Sequence, residues 1–118
     1  MGGRSGGIDM IDWQRIRDLR SEIGTDDFLE VAAMFLDEAD AAVARLATPR
    51  GAKALEDDLH FLKGAALNLG FSRLAALCQD GERRAAGGDM SVDVGAVREI
   101  YLTSKQQFLT EVPTAFAA

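Results

Sequence analysis

The chain has few residues of the kinds that build disulfide frameworks or metal centres. Its 118 residues include one cysteine, one histidine and two prolines. The single Cys78 excludes an internal disulfide and supplies no second thiolate for a metal site, so its expected role is that of a small apolar core residue. A hydrolase or metalloenzyme is the least expected class of protein, because too few candidate ligands and catalytic groups are present.

Positive charge and long apolar runs are also scarce. The chain has 13 Lys and Arg against 19 Asp and Glu, a formal net charge of −6 and a pI of about 4.7. Nucleic-acid binding needs clustered basic residues, and an acidic surface is repelled by anionic membranes, so neither is an expected partner. No apolar run is long enough to span a bilayer and no secretory segment follows the N-terminus, which favours a cytoplasmic location.

The prominent pattern is the helical spacing of apolar residues. It predicts an all-α fold, an antiparallel up-and-down four-helix bundle with an additional N-terminal helix, over residues 9–118. The glycine-rich residues 1–8 are predicted to be a flexible arm. The helices are predicted at about Asp9 to Ile23, Thr25 to Ala47, Ala52 to Leu69, Ser72 to the Gly87-Gly88 pair, and from Ser91 or Asp93 towards Pro113.

Each predicted helix has an inner face and recognisable ends. Gly24 and Gly70 are expected to stop the first and third helices, and Thr25 and Ser72 to cap the helices that follow them. The predicted inner-facing residues are Trp13, Ile16, Leu19, Ile23, Phe28, Ala32, Phe35, Ala39, Ala42, Leu46, Leu55, Leu59, Leu62, Ala66, Leu69, Leu74, Leu77, Cys78, Val97, Tyr101, Ser104 and Phe108.

His60 is the one histidine, and its position on the third helix is informative. A lone histidine is most often an ordinary core or surface residue. At about 100° per residue, however, His60 lies roughly 140° from the centre of the inner face. It therefore points to solvent from the middle of a bundle helix, where neither packing nor capping requires it.

Lys63 and Gly64 lie beside His60, three and four residues further along the helix. Glycine inside a helix costs about 1 kcal/mol relative to alanine, so Gly64 needs a reason. A bare patch of backbone lets another protein approach the imidazole closely. Lys63 places a cation where it can neutralise phosphate oxygens, although a solvated surface lysine is the ordinary interpretation.

The segment from Leu59 to Cys78, LHFLKGAALNLGFSRLAALC, resembles the signature of histidine-phosphotransfer (HPt) domains. That signature has a histidine followed by Leu-Lys-Gly, a run of small and apolar residues, and a glycine before the next helix. The matching positions are His60, Leu62, Lys63, Gly64, Gly70, Leu74 and Cys78. Two positions depart from the pattern. Phe61 replaces a small hydroxyl residue and is expected to alter partner choice or packing, and Gly81 replaces an apolar residue before Glu82 and is expected to loosen the fourth helix.

The resemblance implies a phosphoryl carrier and not an enzyme with turnover of its own. His60 would accept a phosphoryl group from a receiver-domain aspartate or a sensor histidine kinase and pass it to another receiver. The family uses the Nε2 atom, although the sequence alone leaves either nitrogen open. No cofactor is expected in this chain, because Mg²⁺ would be held by the receiver partner.

Four further residues near His60 are candidates for partner contacts. Leu67 falls near the histidine face and is predicted to join Gly64 and Phe61 in a docking patch, with ordinary helix packing equally well supported. Glu56 and Asp57, one turn before His60, are candidates to orient the ring or tune its pKa. A solvated acidic face is the simpler interpretation of these two.

Two alternatives remain open at this point. One alternative is that the chain is the phosphorylatable domain of a larger chemotaxis-type histidine kinase, which would keep His60 as the acceptor but make the kinase the donor. Its end soon after the fifth helix favours a free-standing protein. A helical adapter with an incidental histidine is the other alternative, and it predicts that His60 can be replaced without loss of function. A monomer is expected in either case.

Overall fold

The computed structural model describes residues 9–48 and 50–115, and the predicted flexible arm lies outside these residues. The described residues form five α-helices and no β-strand. The all-α prediction is therefore confirmed. The helices are α1 (Trp13–Ile23), α2 (Thr25–Leu46), α3 (Ala52–Leu69), α4 (Ser72–Ala86) and α5 (Val94–Ala115).

Helices α2 to α5 form a four-helix bundle closed on itself. Each packs on the next, and α5 returns to pack against α2. The connections are short, so successive helices run antiparallel. The predicted inner faces are confirmed in outline, since Leu59, Leu62, Leu74 and Tyr101 are all almost completely buried. Ser104 is buried with them, whereas Phe35 and Leu77 are only partly buried.

Helix α1 packs against α2 and across the turn that joins α3 to α4. The backbone N–H of Asp12 donates to the carbonyl of Gly70 at 2.7 Å. The Trp13 ring stacks on Phe108 of α5, with centroids 6.3 Å apart. Gly70 has a φ of 74°, and a Cβ there would lie 3.1 Å from both the Asp12 carbonyl oxygen and Ile16. Glycine is therefore needed both for the left-handed end of α3 and for the approach of α1.

Several helix ends differ from the sequence prediction. Helix α1 begins at Trp13 and not near Asp9, because the Asp12 side chain accepts the N–H of Arg15 and caps the helix. Gly24 and Phe71 occupy the cap positions expected for Thr25 and Ser72, which are instead the first helical residues. Helix α5 continues past Pro113 to Ala115. A proline removes one N–H donor, and near a helix end the remaining turns can continue past it.

A nearly buried carboxylate joins the end of α2 to α3. Asp58 accepts from Arg45 at 3.0 Å and from Arg50 at 2.9 Å, and its side chain is only 12% exposed. Both arginines remain about half exposed. These two ion pairs tie α3 to the end of α2 and to the α2–α3 connection, through a carboxylate two residues before His60.

A second polar cluster joins α2 to α5. The Tyr101 hydroxyl donates to the Asp40 carboxylate and also lies 3.2 Å from the Leu36 carbonyl oxygen, and Lys105 binds both carboxylate oxygens of Asp40 at 3.0 Å. Burial, together with the Asp40 carboxylate, raises the pKa of Tyr101. The phenol therefore stays protonated and holds the two helices together on the side of the bundle away from α3 and α4.

Candidate functional site

His60 projects from the middle of α3 into solvent. Its side chain is 68% exposed, although the neighbouring Leu59 and Leu62 are completely buried. The helical pattern predicted this orientation, and the structure confirms it. The ring is therefore held by a rigid, well-packed helix and remains accessible to a large partner.

The ring is oriented by a carboxylate from the adjacent helix α4. His60 Nδ1 lies 2.7 Å from Glu82 Oε2. Glu82 Oε1 lies 2.9 Å from Lys63 Nζ, and Lys63 also donates to Gln79 at 3.2 Å. One glutamate thus contacts both the histidine and the lysine of the predicted motif.

The charge on Glu82 determines which proton arrangement the site favours. The Lys63 ammonium lowers the pKa of Glu82 most strongly, and the bond to His60 lowers it further, although partial burial opposes both effects. An ionised carboxylate can only accept a hydrogen bond. The neutral ring must therefore carry its proton on Nδ1, which leaves the Nε2 lone pair free.

Gly81 allows the close helix contact that brings Glu82 to the ring. It is buried, and a Cβ at this position would lie 3.0 Å from a methyl carbon of Leu59 and 3.0 Å from one of Val92. The predicted loosening of α4 is wrong, because the helix runs unbroken from Ser72 to Ala86 and Val92 packs into the space above the glycine. The missing side chain lets α4 approach α3 closely.

The surface around His60 is open and partly apolar. A Cβ on Gly64 would meet nothing within 4 Å, and Asn68 donates to the Gly64 carbonyl at 2.9 Å. Phe61 and Leu67 are 43% and 55% exposed. A groove of about 290 Å³ lies beside the ring, between α2 and α3. Its lining residues are Phe35, Glu38, His60, Phe61, Gly64, Ala65 and Asn68.

Phe61 is held in place by the polar cluster at the end of α2. The Arg45 guanidinium lies 5.5 Å from the centre of the Phe61 ring and also binds Asp58. A cation over an aromatic face is attractive, and here the cation is itself fixed by a carboxylate. The departure from the family pattern at this position therefore produces an ordered aromatic surface next to His60.

Glu56 and Asp57, the two acidic residues predicted to orient the ring, are not the residues that bond to it. Asp57 pairs with Lys53 at 2.9 Å. Glu56 lines a shallow depression with Lys63, Gln79 and Glu82, among others, and has no hydrogen bond to the ring. Sequence reasoning missed the role of Glu82 because its proximity depends on the rotation of α4 relative to α3. The signal available in the sequence was the spacing of Glu82 from Cys78. Four residues are about one turn of α4, so both residues lie on the same face of that helix.

Comparison with protein families decides the classification. The family described as the Hpt domain matches residues 26–113. The chain belongs to the Hpt domain family. Hpt domains are phosphocarriers of phosphorelays, and they interact with receiver domains and histidine kinases. The match begins inside α2, so α1 lies outside it. The comparisons with curated proteins and with solved structures gave no significant match.

Three further observations describe the Hpt domain. Within the described part of the chain, every helix is too short or too polar to span a bilayer. The described residues also contain no group of three His, Cys, Asp or Glu side chains placed to hold a metal ion. Cys78 is buried in the core, and burial raises the pKa of its thiol to about 12. It matches the expected role of a small core residue.

Proposed function

We propose that this Hpt domain carries a phosphoryl group on Nε2 of His60, between receiver-domain aspartates or from a sensor histidine kinase to a receiver. The observation that carries the proposal is the 2.7 Å contact between His60 Nδ1 and the ionised Glu82. It leaves the nucleophilic nitrogen unprotonated on an exposed ring. An incidental surface histidine would not require such an arrangement.

The proposed transfer step balances without any further reactant. The Nε2 lone pair attacks the phosphorus of a receiver acyl phosphate, the N–P bond forms, and the P–O bond to the aspartate breaks with its electrons on the carboxylate. The Nδ1 proton stays on the ring, which becomes cationic and is stabilised by Glu82 at 2.7 Å. Transfer to the next receiver reverses these changes. Such transfer depends mainly on positioning and charge stabilisation.

Lys63 and Gly64 have distinct proposed roles in this step. Lys63 neutralises phosphoryl oxygens, and its contacts with Glu82 and Gln79 keep the ammonium close to the histidine side of α3. Gly64 keeps the surface low, so that a receiver can bring its active site over the ring. The exposed Phe61 and Leu67 would contact the receiver around this point. Mg²⁺ and the reacting aspartate are proposed to come from the receiver.

The proposal is tested by incubating the chain with a ³²P-labelled phospho-receiver and Mg²⁺, beside the His60→Gln variant. Acid-labile, base-stable label on the unmodified chain and none on the variant is the expected result. A purified sensor kinase serves as the second donor. Label from the phospho-receiver supports a relay intermediate, and label from the kinase alone supports the phospho-accepting domain of a kinase. Equal label on both chains would exclude His60, and no label from any donor would favour the adapter alternative.

A further inference from the structure

A second apolar surface lies away from His60, between α2 and α5. It is a groove of about 420 Å³ lined almost entirely by apolar side chains. Leu29 on α2 and Leu109 on α5 are 42% and 54% exposed at this groove. Its lining residues are Thr25, Leu29, Ala32, Ala33, Leu36, Phe108, Leu109 and Val112. Leu102 extends the same face of α5 two turns earlier and is 43% exposed.

The groove between α2 and α5 is separate from the surface around His60. In the order of packing around the bundle, α2 and α5 are one neighbouring pair, and α3 and α4, which carry His60 and Glu82, are the opposite pair. The lining of the groove shares no residue with the groove beside His60. Contiguous exposed apolar surface commonly marks a binding site in a soluble protein.

The α2 side of the groove is negatively charged. Helix α2 contains no lysine or arginine between Thr25 and Ala44, and it carries six carboxylates there. At 100° per residue, Asp26, Glu30 and Asp37 fall along the solvent side of the groove-lining residues. All three are exposed, and no described lysine or arginine forms an ion pair with them. On the α5 side, Lys105 is bound to Asp40.

We propose that the α2–α5 groove docks a helix of a partner protein, a helix with leucine-like residues on one face and lysines or arginines along its edge. Two packed helices with exposed leucines form a groove of the shape that an amphipathic helix fills. The row of unpaired carboxylates selects a basic edge and repels an acidic one. A second copy of this acidic chain is disfavoured by the same charge. The groove thus gives the Hpt domain a contact that persists while His60 exchanges its own partners.

The probe for this proposal is a synthetic peptide of about 18 residues, long enough to form a helix, with leucines at helical spacing and lysines elsewhere. The same peptide with glutamate in place of lysine is the control. The full chain, labelled with ¹⁵N, is titrated with each peptide, and amide shifts are followed. We expect the lysine peptide to shift amides around Leu29, Ala33 and Leu109, and the glutamate peptide to shift none.

Three variants make the result specific. Leu29→Gln with Leu109→Gln should weaken binding of the lysine peptide by at least about tenfold, since both leucines line the groove. Leu67→Gln, an equally exposed leucine on the His60 side, should leave the affinity unchanged. Asp26→Asn with Glu30→Gln and Asp37→Asn should weaken binding and reduce its dependence on salt. These positions are exposed, so the variants are expected to fold, and circular dichroism checks that.

The outcomes separate this proposal from the phosphotransfer function. His60→Gln should bind the lysine peptide normally, and the double leucine variant should still accept phosphoryl groups on His60. Shifts centred on Leu67 or spread evenly over all acidic surfaces would overturn the proposal, as would full affinity in the double leucine variant. Concentration-dependent shifts at the groove without peptide, lost in that variant, would assign the groove to a second copy of the chain and overturn it too.

Discussion

His60 Nδ1 and Glu82 Oε2 lie 2.7 Å apart across the interface between α3 and α4. The His60 ring is open to solvent, whereas the Glu82 side chain is only 20% exposed and is held in place by the bundle. Glu82 therefore fixes both the direction of the ring and the nitrogen that carries its proton. Lys63, bound to the other oxygen of the same carboxylate, completes a site in which three side chains depend on one another.

Replacing Glu82 should slow phosphoryl transfer to His60 without removing the acceptor. Glu82→Ala removes the hydrogen-bond acceptor and the charge, and we expect the transfer rate to fall about ten- to a hundredfold, as a loss of positioning commonly causes. Glu82→Gln keeps an acceptor oxygen but not the charge, so its rate should lie between. Single-turnover transfer from a phospho-receiver measures both variants.

The position of the proton on the His60 ring provides a second, independent measurement of the role of Glu82. In the unmodified chain, ¹⁵N chemical shifts of the neutral ring should report the proton on Nδ1, and in Glu82→Ala the two tautomers should mix. Asp80→Ala is the matched control, since Asp80 lies on the same helix and pairs with Arg84 and not with the ring. An unchanged tautomer ratio in Glu82→Ala would remove the orienting role assigned to this carboxylate.

The pH dependence of Glu82 follows from its contacts. Its pKa is lowered, with Lys63 as the largest lowering cause and His60 a smaller one. The contribution of this carboxylate to stability is therefore present above its unfolded pKa and lost only as the pH falls through the lower folded value. Lys63→Met should move the titration midpoint up towards the ordinary glutamate range, and His60→Gln should move it up by less. NMR titration of the Glu82 carboxyl carbon measures this, with Lys53→Met as control. A larger effect from His60→Gln would reverse the assigned order of causes.

The sequence alone was sufficient for the parts of this molecule that depend on one helix at a time. The outward direction of His60, its spacing from Lys63 and Gly64, and the burial of Leu59 and Leu62 all follow from a rotation of 100° per residue. The position of Glu82 depends instead on how α4 is rotated and how closely it approaches α3. Gly81 controls that approach through contacts with Leu59 and Val92, which no single-helix pattern contains.

Two glycines near the site should respond oppositely to alanine. A Cβ on Gly64 meets nothing within 4 Å, so Gly64→Ala should raise the free energy of unfolding by about 0.5–1 kcal/mol through helix propensity. Gly81→Ala gains a similar propensity term, but its Cβ lies 3.0 Å from both Leu59 and Val92. Overpacking costs about 1–3 kcal/mol, so a net loss of up to ~2 kcal/mol is expected. Urea unfolding followed by the fluorescence of Trp13, the one tryptophan, compares them. Stabilisation by Gly81→Ala would show that Val92 yields freely.

Bulk at position 64 should impair docking without harming the histidine. Gly64→Gln places a long side chain on the surface beside His60, where the structure leaves open space. Transfer from a phospho-receiver should fall by about tenfold or more, because the partner can no longer approach the ring closely. Phosphorylation by phosphoramidate, a small donor, should stay near the unmodified rate. Equal loss with both donors would mean that the substitution disturbs the ring itself and not the approach of a protein.

Removing Asp58 should destabilise the bundle and disturb the aromatic surface beside His60. The carboxylate is nearly buried and binds Arg45 and Arg50, so Asp58→Ala should lower the free energy of unfolding by about 1–3 kcal/mol. The cost should not exceed this range, because both arginines are about half exposed and water can solvate them. Asp57→Ala is the matched control: this neighbour makes only an exposed pair with Lys53, and its loss should be small.

The same substitution tests whether Phe61 is held by its arginine. Without Asp58, Arg45 is free to leave the Phe61 ring, which it now faces at 5.5 Å. The ring proton shifts of Phe61 should then move towards those of a mobile aromatic side chain, and receiver affinity should weaken while phosphoramidate labelling of His60 persists. If the Phe61 signals and the receiver affinity both stay unchanged in Asp58→Ala, the cluster stabilises the α2–α3 connection alone and takes no part in shaping the docking surface.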